Sequence, residues 1–223
     1  MTLARILRVL FVLVAVAGVV AWLLPWILYA RSTPFPTRLP ATVLFFAVVS
    51  EKLWSSFVRM PDKVAVKADK DWTVAAVGLA YASVIFTIIL HVYARRDGLP
   101  SLSAAIAGGL IYLLALVLRL TALRSLGAAW SIQLDRADAA GPIVRAGPYR
   151  FIRHPIYLGA MLETVCVALL FQSVWALLAA LCLFCPAELA RARFEERYLR
   201  ARFGSAYAEY ARDVGGFVPR FRS

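Results

Sequence analysis

Leu102-Ser-Ala-Ala-Ile-Ala-Gly-Gly109-Leu-Ile-Tyr-Leu-Leu-Ala-Leu-Val-Leu-Arg119-Leu-Thr-Ala-Leu123 is the stretch that decides the fold class. A hydrocarbon core about 30 Å thick is crossed by roughly 20 predominantly apolar residues in one helix. This run has that length, with a single charge, Arg119, near its end. Its Gly108-Gly109 pair suits close helix packing, because helices in lipid associate through small residues. Three further runs precede it: Ile6 to Tyr29, Leu39 to about Val58, and Trp72 to Tyr93. Two follow, Ile156 to Phe171 and Val174 to Leu189, separated by Gln172-Ser173. The last two are short for crossings, which leaves open both full spans and a tight hairpin at membrane depth. The expected fold is all-α: a polytopic membrane protein with about six transmembrane or membrane-embedded helices and a C-terminal helix outside the bilayer.

Composition points the same way. Of 223 residues 62% are hydrophobic, with mean hydropathy +0.74, against roughly 45–50% apolar in soluble domains. One small soluble core cannot hold that excess, so much of it faces lipid. The net charge of +12 comes from 25 Lys and Arg against 13 Asp and Glu. These charges sit between apolar runs, where they set topology and meet anionic headgroups, so no nucleic-acid partner is expected. Cys166, Cys182 and Cys185 all lie in apolar runs, and an odd count argues against a disulfide framework. The Cys182/Cys185 CxxC has no accompanying His or second CxxC, so no metal site is expected.

The first run follows Arg5 and Arg8 and is too long for a signal-peptide core. Pro25 kinks or ends it, and the Pro-rich Arg31–Arg38 turn follows. Glu51 and Lys52 interrupt the second run, either at the interface or facing a polar cavity. Lys and Arg are concentrated at the N-terminus, in the Arg59–Lys70 loop and between Arg124 and Arg153. The positive-inside rule then places both termini on the cytosolic side of a multi-pass cell (inner) membrane protein. The chain divides into an N-terminal four-helix scaffold, residues 1–123, and a C-terminal part, residues 124–223.

The chemistry lies in that C-terminal part. Gly141-Pro142-Ile143-Val144 leads through Gly147-Pro148-Tyr149 to Arg153-His154-Pro155-Ile156-Tyr157. Glycine and proline impose irregular backbone here, whose N–H and C=O groups need partners at a membrane boundary. Pro155 suits the first turn of a helix, which puts His154 near its N-cap and Tyr157 on the first turn. The helix N-terminus favours a carboxylate. Further on, Arg191 and Glu195 are four residues apart and share a helix face, which Tyr198 continues. Arg191 falls where a membrane-dissolved group meets the aqueous side, and a guanidinium there can hold a carboxylate or phosphate. Phe203-Gly204-Ser-Ala-Tyr207-Ala-Glu-Tyr210 closes the pattern.

In that order these segments resemble the isoprenylcysteine carboxyl methyltransferase family, within a wider group that includes phospholipid methyltransferases. The resemblance covers about the last hundred residues, from near Gln133 to Phe221. It implies S-adenosylmethionine as cofactor. It implies that Gln133, Gly141, Pro142, Ile143, Val144, Tyr149, His154, Pro155, Ile156, Tyr157 and Glu195 bind that cofactor, with Gln133 aligned only through a one-residue gap. Arg191 would hold the acceptor, and Arg191, Glu195 and His154 would be the catalytic set. The implied reaction is methyl transfer to a lipophilic small molecule or lipidated acceptor, a carboxylate as in isoprenylcysteine. A carboxylate needs no general base; a phenol, thiol or amine acceptor would call on His154 or Glu195. Rival readings are a phospholipid N-methyltransferase, an NADPH-dependent sterol or enone reductase gripping a 2′-phosphate with Arg124, Arg145, Arg150 and Arg153, and a non-catalytic accessory protein. Neither the acceptor nor the oligomeric state follows from the sequence.

Overall fold

The computed structural model describes residues 72–94, 102–127 and 143–220. The runs Ile6–Tyr29 and Leu39–Val58, and the site residues Gln133, Gly141 and Pro142, lie outside the described residues. The described part is helical: α1 (Trp72–Ala94), α2 (Leu102–Leu126), a 3₁₀ turn (Gly147–Arg150), α3 (Pro155–Leu170), α4 (Val174–Ala179), α5 (Cys185–Phe203) and α6 (Ser205–Asp213). A π-helical turn, Ala180–Phe184, joins α4 to α5. Among the described residues, three stretches are long and apolar enough to cross a membrane: Trp72–His91, Ile106–Leu126 and Val174–Phe203.

Leucine and phenylalanine side chains at 79, 86, 90, 110, 113 and 114 point outward on α1 and α2, as expected where the surroundings are lipid. Several hydroxyls in these helices are satisfied by their own backbone. Thr87 donates to Ser83 and Val84 carbonyls, Thr121 to Val117 and Leu118, and Ser125 to Thr121. Each therefore enters an apolar helix without an orphaned donor.

Helices α2 and α3 pack antiparallel along a seam pinned by glycine at both ends. A Cβ on Gly108 would stand 3.0 Å from Leu170 Cδ1, and one on Gly159 would stand 3.0 Å from Arg119 Cβ and 3.1 Å from the Ala115 carbonyl. Gly109, by contrast, meets nothing within 4 Å, so among the described residues only the first glycine of the pair does the packing. Between those ends Arg119 Nε donates to Glu163 Oε1 at 2.9 Å, with side chains 7% and 1% exposed. Buried charges in lipid pair in this way because neither is tolerated alone.

Two features depart from the sequence reading. Helix α2 runs to Leu126, three residues beyond Leu123, where the apolar run ends. The Val174–Leu189 run does not end where its apolar character ends: one helix continues for 30 residues to Phe203, about 45 Å at 1.5 Å per residue. Hydropathy fades at Glu188 and Arg191, but backbone hydrogen bonding does not follow hydropathy. Pro186 is absorbed without a break, because the π turn before it widens the helix and Cys185 N–H bonds the Ala180 carbonyl five residues back. With about 20 residues inside the hydrocarbon, Arg191 falls at the boundary and Glu195 beyond it. Gly204, at φ +53, then turns the chain into α6.

Candidate active site

The loop before α3 and the segment after α6 are held together by main chain. Arg153 N–H bonds the Gly215 carbonyl at 2.8 Å, and His154 N–H bonds the Gly216 carbonyl at 3.0 Å. Gly215 cannot be replaced, since a Cβ there would lie 1.8 Å from the Val218 carbonyl oxygen. Arg153 adds the side-chain staple. Its Nη1 donates to the carbonyls of Ala211 (2.9 Å) and Val214, while Nε and Nη2 donate to Glu196.

His154 is the N-cap of α3 and Pro155 its first residue, as their order implied, but the imidazole caps nothing. It is 5% exposed and turns towards α5. Its Nε2 lies 3.0 Å from Glu196 Oε1 and its Nδ1 lies 3.8 Å from Glu195 Oε2. The ring stacks on Tyr157, centroids 5.7 Å apart and planes at 25°, with Phe217 on it at 5.3 Å. The Tyr157 hydroxyl in turn bonds Glu195 and lies in the field of Arg191 and Glu188. His154, Tyr157, Glu195 and Arg191, 41 positions apart at the extremes, therefore meet at one place.

Arg191 is buried rather than set in a surface ion pair, and its Nη1 donates to Thr73 Oγ1 of α1 at 3.1 Å. Tyr149 is buried beneath α6, its carbonyl accepting from Tyr210 Oη at 2.8 Å. Burial pushes the Tyr149 hydroxyl well above the ordinary phenol range, and the nearby Glu195 charge adds to it. Tyr207 is raised likewise, by burial first and then by Glu196. Tyr210 is pushed up to about 12 by burial, against the opposing charges of Arg153 and Arg145. Ile143 and Val144 are half-buried in irregular backbone, Pro155 is buried and Ile156 half-buried.

Several residues at the site escaped the sequence reading, Glu196, Phe217, Thr73 and Glu188, as did Glu163 in the α2–α3 seam. For Glu163 a signal exists, since a carboxylate inside an apolar run is rare without a role. Glu196 stands beside Glu195 in sequence, and nothing in the spacing assigns it the histidine contact.

The model of the phospholipid methyltransferase family matches residues 103–206, from α2 through the loop and hairpin to the start of α6. That segment, under half of the chain, is similar to the phospholipid methyltransferase family. Cobalt-zinc-cadmium resistance protein CzcN of Cupriavidus metallidurans is 32% identical to the chain over 107 residues. The match covers 44% of this chain and 45% of that protein, so the chain spans under half of its relative's length. The fold is similar to that of the eukaryotic intramembrane Ras methyltransferase ICMT, isoprenylcysteine carboxyl methyltransferase, with a TM-score of 0.54 at 19% identity over 90% of this chain and 72% of that one. The expected all-α membrane fold and the resemblance to this superfamily both stand. His154, Tyr157, Arg191 and Glu195 all lie inside the matched segment.

Proposed function

We propose that this chain transfers a methyl group from S-adenosylmethionine to a lipophilic acceptor at the cytosolic face of the membrane. The observation that carries the reading is the 3.8 Å approach of His154 Nδ1 to Glu195 Oε2, with Tyr157 stacked beside them. The residues fit such a cofactor. Glu195 offers a carboxylate to hydroxyls or to positive charge, and Tyr149, His154 and Tyr157 offer aromatic surface. Ile143 and Val144 offer main-chain groups outside regular structure. Bound there, S-adenosylmethionine would supply a methyl already activated on a sulfonium.

The chain's own part is alignment and exclusion of water. Arg191, at the depth where the long helix leaves the hydrocarbon, would orient a carboxylate acceptor approaching from the lipid, the class that the resemblance implies. Residues 1–123 would serve as scaffold and residues 124–223 as the methyltransferase core. The likeness to phospholipid and isoprenylcysteine methyltransferases supports the reading, and neither match favours a reductase or an accessory protein.

The test is incubation of the purified chain with methyl-labelled S-adenosylmethionine and a host lipid extract, followed by mass spectrometry. A labelled lipophilic product, lost on His154→Ala or Glu195→Ala while helicity is retained, is expected. Retained transfer in both variants would refute the assignment of the site.

A further inference from the structure

Glu196 collects four hydrogen bonds. Its Oε1 accepts from Arg153 Nη2 at 2.7 Å and Nε at 3.1 Å and lies 3.0 Å from His154 Nε2, and its Oε2 accepts from Arg200 Nη2 at 2.9 Å. A carboxylate between two guanidiniums is ionised and can only accept, so the proton of the histidine contact sits on Nε2. In the neutral ring the opposite nitrogen, Nδ1, is then an acceptor. It faces another acceptor, Glu195 Oε2, at 3.8 Å, too long for a direct bond. Two acceptors at that separation can share one donor placed between them. The imidazole is also fixed in orientation, with Tyr157 and Phe217 against it and the backbone N–H of His154 tied to the Gly216 carbonyl.

We infer that Glu196 is a positioning residue: it holds His154 as the Nε2–H tautomer, so that Nδ1 and Glu195 Oε2 together form a clamp for an N–H or O–H donor of the bound cofactor. The inference rests on the methyl-donor reading. S-adenosylhomocysteine and methylthioadenosine share the ribose hydroxyls and the adenine amino group, but only the first carries an ammonium, so comparing the two shows whether the ammonium is the donor.

The measurement is nitrogen NMR of the full chain, labelled at histidine, in lipid nanodiscs near neutral pH. The chain has two histidines, and a His91→Asn spectrum assigns His154. The expected spectrum has a protonated Nε2 and a bare Nδ1, whose resonance shifts when S-adenosylhomocysteine is added. Glu196→Gln should mix the two tautomers and weaken S-adenosylhomocysteine binding about tenfold, the equivalent of one hydrogen bond. A residue that merely staples the tail would leave the tautomer unchanged. A proton on Nδ1 in the unsubstituted chain, alone or together with Nε2, overturns the inference whether or not the variant folds. Absence of S-adenosylhomocysteine binding, with Nε2–H observed, would instead overturn the methyl-donor reading and the clamp's ligand.

Discussion

At the residue scale, the site is built from groups whose ordinary chemistry is altered by burial. Tyr149, Tyr207 and Tyr210 form the clearest case, their hydroxyls all raised chiefly by desolvation. Ionisation of a phenol whose folded pKa is raised disfavours the folded state. Its contribution is complete below the unfolded value near 10 and is lost as pH climbs through the folded one, about 12 for Tyr210. Alkaline titration followed by tyrosinate absorbance should therefore show part of the nine tyrosines ionising late, together with detachment of α6. Simultaneous ionisation of all nine near pH 10 would contradict the packing. Glu195→Gln should keep the fold and reduce methyl transfer by about 10²-fold, the scale of a lost aligning contact; unaltered turnover would remove Glu195 from the site. The place of His154 and Pro155 at a helix start was legible in the sequence from proline's position; the roles of His154, Tyr157, Arg191 and Glu195 are what the resemblance implies. The contacts of Arg191 with Thr73, 118 positions away, and of Arg119 with Glu163, 44 away, follow from packing, and no local pattern announces them.

At the element scale, the α2–α3 seam and the loop–tail junction carry the site. Glu163→Ala removes the carboxylate partner of a buried guanidinium and should destabilise by about 3–5 kcal/mol, whereas replacing both Arg119 and Glu163 by leucine should cost less than the single change. Unfolding in mixed micelles measures both, and a double variant worse than the single one would contradict the pairing. Gly215→Ala should release the tail from the loop, because its Cβ meets the Val218 carbonyl. Faster proteolysis after α6 and weaker S-adenosylhomocysteine binding are the expected readouts, and neither changes if the junction is incidental. Helix positions were legible from hydropathy wherever an apolar run coincided with a helix. The one run that misled was Val174–Leu189, since charge at Glu188, Arg191 and Arg193 marks the edge of the lipid rather than the end of the helix.

At the scale of the whole molecule, a long helix and a clasped tail bring a membrane-boundary cation, Arg191, beside a carboxylate–imidazole–phenol cluster. The division between lipid-facing surface and polar interior was legible in composition. The meeting of residues 149–157 with residues 191–217 was visible only as an order of motifs, because nothing local states how far a tail helix reaches back. The central claim is that this junction binds a methyl donor, and thermal unfolding of the purified chain tests it most directly. S-adenosylhomocysteine at 100 times its Kd should stabilise the protein by about 2.7 kcal/mol, with NADPH without effect and the stabilisation abolished in His154→Ala. Stabilisation by NADPH, or none by S-adenosylhomocysteine, would contradict the account.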